Sequence, residues 1–94
     1  GPRLLNPLGG VQLSVVPNPV SNQCEIEYKT VEKGRTHLYI SNVIGKKVIT
    51  LVDGEIPSGF HSIILSTESL QSGVYYIILE TPRKLRSVRL QVIK

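Results

Sequence analysis

The chain has 94 residues, the size of one domain and too short for two. Hydrophobic residues make up 40%, with one Phe and no Trp, so a core must come from Val, Ile, Leu and four Tyr, a set that favours strands. The net charge of +4 suits an anionic partner. Nucleic acid is not the expected one, because no aromatic is interleaved with the late basic residues and no recognised nucleic-acid motif occurs.

No run approaches the roughly 18–20 apolar residues of a membrane-spanning helix, and no signal-peptide core is present. The sequence contains no Met, which points to a processed or excised piece. Such a piece would have lost any export signal, so the compartment stays open. Gly1 and Pro2 read as a tag-cleavage scar, and residues 3–10, with Pro7, Gly9 and Gly10, as a linker or loosely held arm. The domain itself is expected over residues 11–94.

Seven strand-length apolar segments follow, separated by turn signals every ten or so residues, the rhythm of a sandwich or barrel. The first covers 11–16 and ends at Pro17-Asn18-Pro19, where two prolines fix φ and remove two donors. The second, 23–29, sets Cys24, Ile26 and Tyr28 on one face and Glu25 and Glu27 on the other. After a turn at Glu32-Lys33-Gly34, the third covers 35–41 with Thr36, Leu38 and Ile40 inward. Asn42 to Gly45 turns the chain into a fourth strand, 46–51, which offers Val48, Ile49 and Leu51. Turns are expected at Asp53-Gly54 and at Pro57-Ser58-Gly59. The fifth strand, 60–65, points Ile63 and Leu65 inward, and Leu70 plugs the core from a crossing loop at 67–72. Gly73 precedes a sixth strand, 74–80, apolar on both faces as a central strand would be. Thr81 to Lys84 turns into a seventh, 86–93, with Val88, Leu90 and Val92 on one face and Arg89 and Gln91 on the other.

No convergent acid, base, nucleophile or metal set stands out. His37 and His61 are far apart and are both expected to face outward. Glu25 and Glu27 share a solvent face, and Asp53-Gly54 lacks the neighbouring carboxylates of a calcium loop. Cys24 is the single cysteine, so an intrachain disulfide and a multi-cysteine zinc site are excluded, and it reads as a small buried apolar residue. Tyr75 and Tyr76 fall on opposite faces and cannot form a flat sugar platform; Tyr75 is expected in the core. A scaffold without a reaction centre points to a domain that is recognised rather than one that reacts. An enzyme is not expected, and no cofactor is.

Five segments match one family in order and spacing: 15–29, VVPNPVSNQCEIEYK; 38–55, LYISNVIGKKVITLVDGE; Gly59-Phe60-His61; 70–81, LQSGVYYIILET; and 88–94, VRLQVIK. Together they resemble the type A C-terminal sorting domain of the type IX secretion system of Bacteroidetes. By position, Pro17, Asn18 and Pro19 match the opening motif, Gly45 and Lys46 the Gly-basic turn, and Gly73, Val74 and Tyr75 the Gly-Val-Tyr motif. Val88, Leu90, Val92, Ile93 and Lys94 match the terminal signal. Ile78 departs from the family, which often has a polar or basic residue there. The departure suggests an extra covered patch.

The resemblance implies an all-β fold, a seven-stranded immunoglobulin-like antiparallel β-sandwich. It also implies an export signal that crosses the periplasm, is recognised by the translocon and sortase in the outer membrane, and ends at the cell surface or outside the cell. The domain is then either cleaved, with the cargo joined to anionic lipopolysaccharide, or retained in a component of the machinery. Arg83, Lys84, Arg86 and Arg89 are the candidate contacts to an anionic partner. The last strand, 86–94, is expected to present a free edge that a receptor captures by strand addition. A monomer and a strand-exchanged dimer both stay open. Two other readings share the fold: a structural or adhesive module of a bacterial surface protein, and a carbohydrate-binding module using Tyr39, Tyr76 and Phe60.

Overall fold

The computed structural model describes residues 5, 6 and 8–94. Seven strands follow one another: β1 (Gln12–Val16), β2 (Gln23–Thr30), β3 (Gly34–Asn42), β4 (Lys47–Ile56), β5 (Gly59–Ser66), β6 (Gly73–Glu80) and β7 (Leu85–Val92). They form two antiparallel sheets, β1-β2-β5 and β4-β3-β6-β7, packed as an immunoglobulin-like sandwich. The expected scar and linker over residues 1–10 lies partly outside the described residues. Within it, Leu5 is buried, and the Asn6 amide donates to Gln12 Oε1 at 2.7 Å while Gln12 Nε2 donates to the Asn6 carbonyl at 2.6 Å.

Alternation along the strands builds the core. Cys24, Ile26, Tyr28 and Thr30 enter from β2, and Thr36, Leu38 and Ile40 from β3. Ile77 and Leu79 of β6 and Leu90 and Val92 of β7 close the second sheet's inner face. Each of these aliphatic side chains contributes about 1.5–3 kcal/mol by leaving water. Leu70 plugs the space from the 67–72 loop, and Tyr75 packs partly buried against the cluster, both as expected.

Two expectations are corrected. Asp53-Gly54 is not a turn, because β4 runs on to Ile56 and pairs Asp53 with His37 and Gly54 with Thr36. An edge strand tolerates such residues because only one side is paired. Here Asp53 is held by Arg35 at 2.5 Å and by His37 at 3.1 Å. His61 is not on the solvent face. It shares the parity of Ile63 and Leu65, so it points between the sheets, where its ring stacks on Tyr28 with centroids 5.1 Å apart. Its Nε2 lies 2.9 Å from the Pro57 carbonyl.

A clasp around the last strand: the candidate functional site

β7 lies antiparallel on β6, with Leu90 opposite Tyr75 and Val92 opposite Gly73. Alternation sends Leu90 and Val92 inward to full burial and leaves Leu85, Ser87 and Arg89 exposed on the outer face. Antiparallel pairing uses the main-chain groups of alternate residues. Those of Arg89, Gln91 and Ile93 therefore point away from β6, toward what would be an open edge.

That edge is not free from Arg89 to Ile93. After β1 the chain crosses from one sheet to the other through Pro17-Asn18-Pro19-Val20, with the Val16–Pro17 and Asn18–Pro19 bonds both cis. Asn18 Nδ2 donates to the Arg89 carbonyl at 2.7 Å, and the Gln91 amide donates to Asn18 Oδ1 at 3.1 Å. One residue on, the Val20 amide donates to the Gln91 carbonyl at 2.9 Å and the Ile93 amide to the Val20 carbonyl at 2.8 Å. Val20 thus forms a parallel bridge to Val92, and its side chain is buried in the core. The prolines have no N–H to offer, so the Asn18 carboxamide supplies both the donor and the acceptor at that level of the edge.

A second set of bonds holds Lys94. Its amide donates to Ser72 Oγ at 3.0 Å, and its ammonium donates to the carbonyls of Thr67 at 2.6 Å and Glu68 at 3.1 Å. Thr67 is fully buried and ties the loop to the crossing segment. Its amide donates to the Asn22 carbonyl at 2.9 Å, and its hydroxyl lies within reach of the Ser21 carbonyl at 3.1 Å and the Asn22 carbonyl at 2.9 Å. The crossing segment, the 67–72 loop and the last strand form one connected polar clasp.

A family model for the secretion system C-terminal sorting domain matches residues 14–94. The chain belongs to this family. These are the sorting signals of type IX secretion, so the domain marks its polypeptide for export to the outer membrane, the cell surface or beyond. No curated protein matches the chain.

The sorting-domain motifs fall on particular parts of the structure. Pro17, Asn18 and Pro19 are the strap over the β7 edge. Gly45 takes φ +85° in the β3–β4 turn and Gly73 takes φ +153° at the start of β6. A Cβ would meet nothing at either place, so the dihedral alone calls for glycine. Lys46 follows in the turn, its amide donating to Asn42 Oδ1 at 2.9 Å. Val74 lies on the outer face of β6, Tyr75 on the inner one, and the Tyr75 hydroxyl donates to the Gln71 carbonyl at 2.8 Å. Ile78 is a partly covered outer-face residue between Tyr39 and Ser87.

Of the terminal residues, Leu90 and Val92 are buried and Val88 is half-buried, while Ile93 and the exterior of Lys94 face solvent. The four basic candidates diverge. Arg83 pairs with Glu32 at 3.5 Å, and the Lys84 main chain closes the β6–β7 turn through Thr81. Arg86 turns inward, its Nε donating to the Val11 carbonyl at 3.2 Å, whereas Arg89 stands on the outer face opposite Tyr76. Val20, Ser21, Asn22 and Thr67 were not singled out from sequence. The available signal was an apolar residue directly after a Pro-Asn-Pro break, where a solvent loop would have no use for one.

Proposed function

We propose that this sorting domain is read by the outer-membrane translocon through the outer face and far end of β7, with Arg89, Ile93 and Lys94 as the contacts. Val88, Leu90 and Val92 act from inside by fixing the strand's position. The domain crosses the periplasm with its cargo attached. It is then either removed by the sortase, with the cargo joined to anionic lipopolysaccharide, or kept within a component of the machinery. The net charge of +4 supports an anionic partner at some step.

The observation that carries this reading is the strap. Because Asn18 and Val20 already satisfy the β7 edge from Arg89 to Ile93, strand addition there would have to evict the buried Val20. Side chains on the open face and at the end of the strand are what remain to be recognised.

The test fuses the domain to a reporter in a host with type IX secretion. Removing Ile93 and Lys94 is expected to leave the reporter in the periplasm. The purified truncated domain should keep its cooperative unfolding transition. Normal surface display of the truncation overturns the reading. Loss of the transition assigns the export failure to folding, and the exposed-face change Arg89→Glu then supplies the folded comparison, expected to reduce display.

A further inference from the structure

The β3–β4 turn carries a feature that neither the fold nor the clasp uses. Turn tips ordinarily take Gly, Asn, Asp, Ser or Pro. Here the tip is Val43-Ile44, with Val43 67% and Ile44 83% exposed. The turn is tightly built. Asn42 Oδ1 accepts from the Ile44 amide at 3.2 Å and from the Lys46 amide at 2.9 Å, the Gly45 amide donates to the Asn42 carbonyl at 3.0 Å, and the Asn42 amide donates to the Lys46 carbonyl at 2.9 Å. The two aliphatic side chains are held outward on an ordered support. Val48, skipped by the register shift between Ile40 and Ser41, is a third exposed aliphatic group, near the start of β4.

The residues that follow the tip are basic. Lys46 and Lys47 follow directly, and among the described residues neither forms a salt bridge; the Lys47 ammonium sits 4.3 Å from the centroid of the Tyr39 ring, and its charge also acts on Asp53. The other end of the sandwich differs. There Lys33 pairs with Glu55 at 3.4 Å and Arg83 with Glu32 at 3.5 Å, so part of its charge is neutralised internally. A cavity of 290 Å³ at that end is lined by Glu32 as well as by Arg83 and Lys84, which leaves no clear preference for an anion.

We propose that the β3–β4 tip is a membrane-docking wedge: Val43 and Ile44 enter the acyl boundary of a bilayer while Lys46, backed by the charge of Lys47, faces its anionic headgroups. A convex pair of aliphatic side chains without an aromatic, backed by lysines, matches the chemistry of an amphipathic bilayer contact. Protein hot spots instead favour Trp, Tyr and Arg seated in pockets. Because the turn is already ordered, docking needs little further ordering of the chain. The register puts this tip at the same end of the sandwich as Gly73, Val92 and Lys94. A docked domain would therefore present the clasped end of β7 close to the lipid surface. The wedge does not depend on which residues the translocon reads.

The test is sedimentation of the 94-residue chain with vesicles of phosphatidylglycerol and phosphatidylcholine in equal parts. The wild type is expected to bind these vesicles and to release from them as salt is raised, with little binding to pure phosphatidylcholine. Val43→Ser with Ile44→Ser should weaken binding at least tenfold while leaving the unfolding midpoint nearly unchanged, since neither side chain packs against the core. Lys46→Gln with Lys47→Gln should reduce binding to the anionic vesicles and blunt its salt dependence. Absence of wild-type binding, or equal binding by the serine variant, overturns the proposal. So does export that fails in the serine variant when the wild type shows no vesicle binding, an outcome that would seat the tip in a protein groove instead.

Discussion

At Asn18 a side-chain carboxamide stands in for a peptide unit, donating to the Arg89 carbonyl and accepting from the Gln91 amide. Asn18→Ala leaves both edge groups unpaired or exposed to water and is expected to cost about 1–2 kcal/mol. Asn18→Asp should recover little, because it keeps the acceptor but turns a carboxylate toward the Arg89 carbonyl. Urea titration measures the cost, and amide exchange should quicken at Gln91. Asp53 makes a different point. Its carboxyl is held below the usual carboxylate range first by the His37 hydrogen bond, with help from the charges of His37, Arg35 and Lys47. A folded-state pKa below the unfolded one stabilises the fold above the unfolded value of about 3.9, and the contribution is lost as pH falls through the lower folded value. Thermal midpoints of the wild type and Asp53→Asn should therefore differ at pH 7 and converge in acid below the usual Asp range. Burial pushes the Cys24 thiol up to about 11. It should resist iodoacetamide at pH 8 in the native protein and react readily in urea.

The strands themselves were largely legible. Each carries two-residue alternation or an apolar run between turn signals, and burial on one face enforces that pattern along β2, β3 and β7. Asp53-Gly54 misled because local turn chemistry and edge-strand chemistry use the same residues. What decided between them was pairing with His37 and Thr36, a contact made at long range. His61 lies two and four residues before the inward Ile63 and Leu65, so the period of the strand itself sets it on the inner face. The clasp was legible only as separate motifs, because its bonds join residues on three segments that sequence spacing does not relate. At this scale the glycines give the sharpest test. Gly45→Ala and Gly73→Ala each force a Cβ into positive φ where no neighbour crowds it, so each should cost about 1–2 kcal/mol through the backbone alone. A denaturation midpoint that does not move would show that the turn relaxes.

Across the whole molecule, packing and clasp act on the same strand from opposite sides. Leu90 is fully buried against β6, and Leu90→Ala is expected to remove about 2–5 kcal/mol, a large share of a small domain's stability. Thr67→Val keeps the shape and the main-chain bond to Asn22 but removes the hydroxyl's reach to the Ser21 and Asn22 carbonyls. Its effect should be smaller and should couple to Asn18→Ala in a double-mutant cycle, because both changes loosen the same crossing segment. Simple additivity would mean that the strap and the 67–72 loop hold the strand independently.

The seam between the strap and β7 also has a direction in time. The Asn18–Arg89 bond joins residues 71 positions apart, and the Arg86–Val11 bond joins residues 75 apart. A ribosome, or a narrow channel threaded N-terminus first, delivers the early half of each bond long before the late half. The domain stays unsealed until its seventh strand has emerged, and non-local closure of this kind is slow. A polypeptide cut short by premature termination has no seam at all. The closed sandwich is therefore a state that only a chain carrying its seventh strand can reach, a condition written into strand order rather than into any one residue.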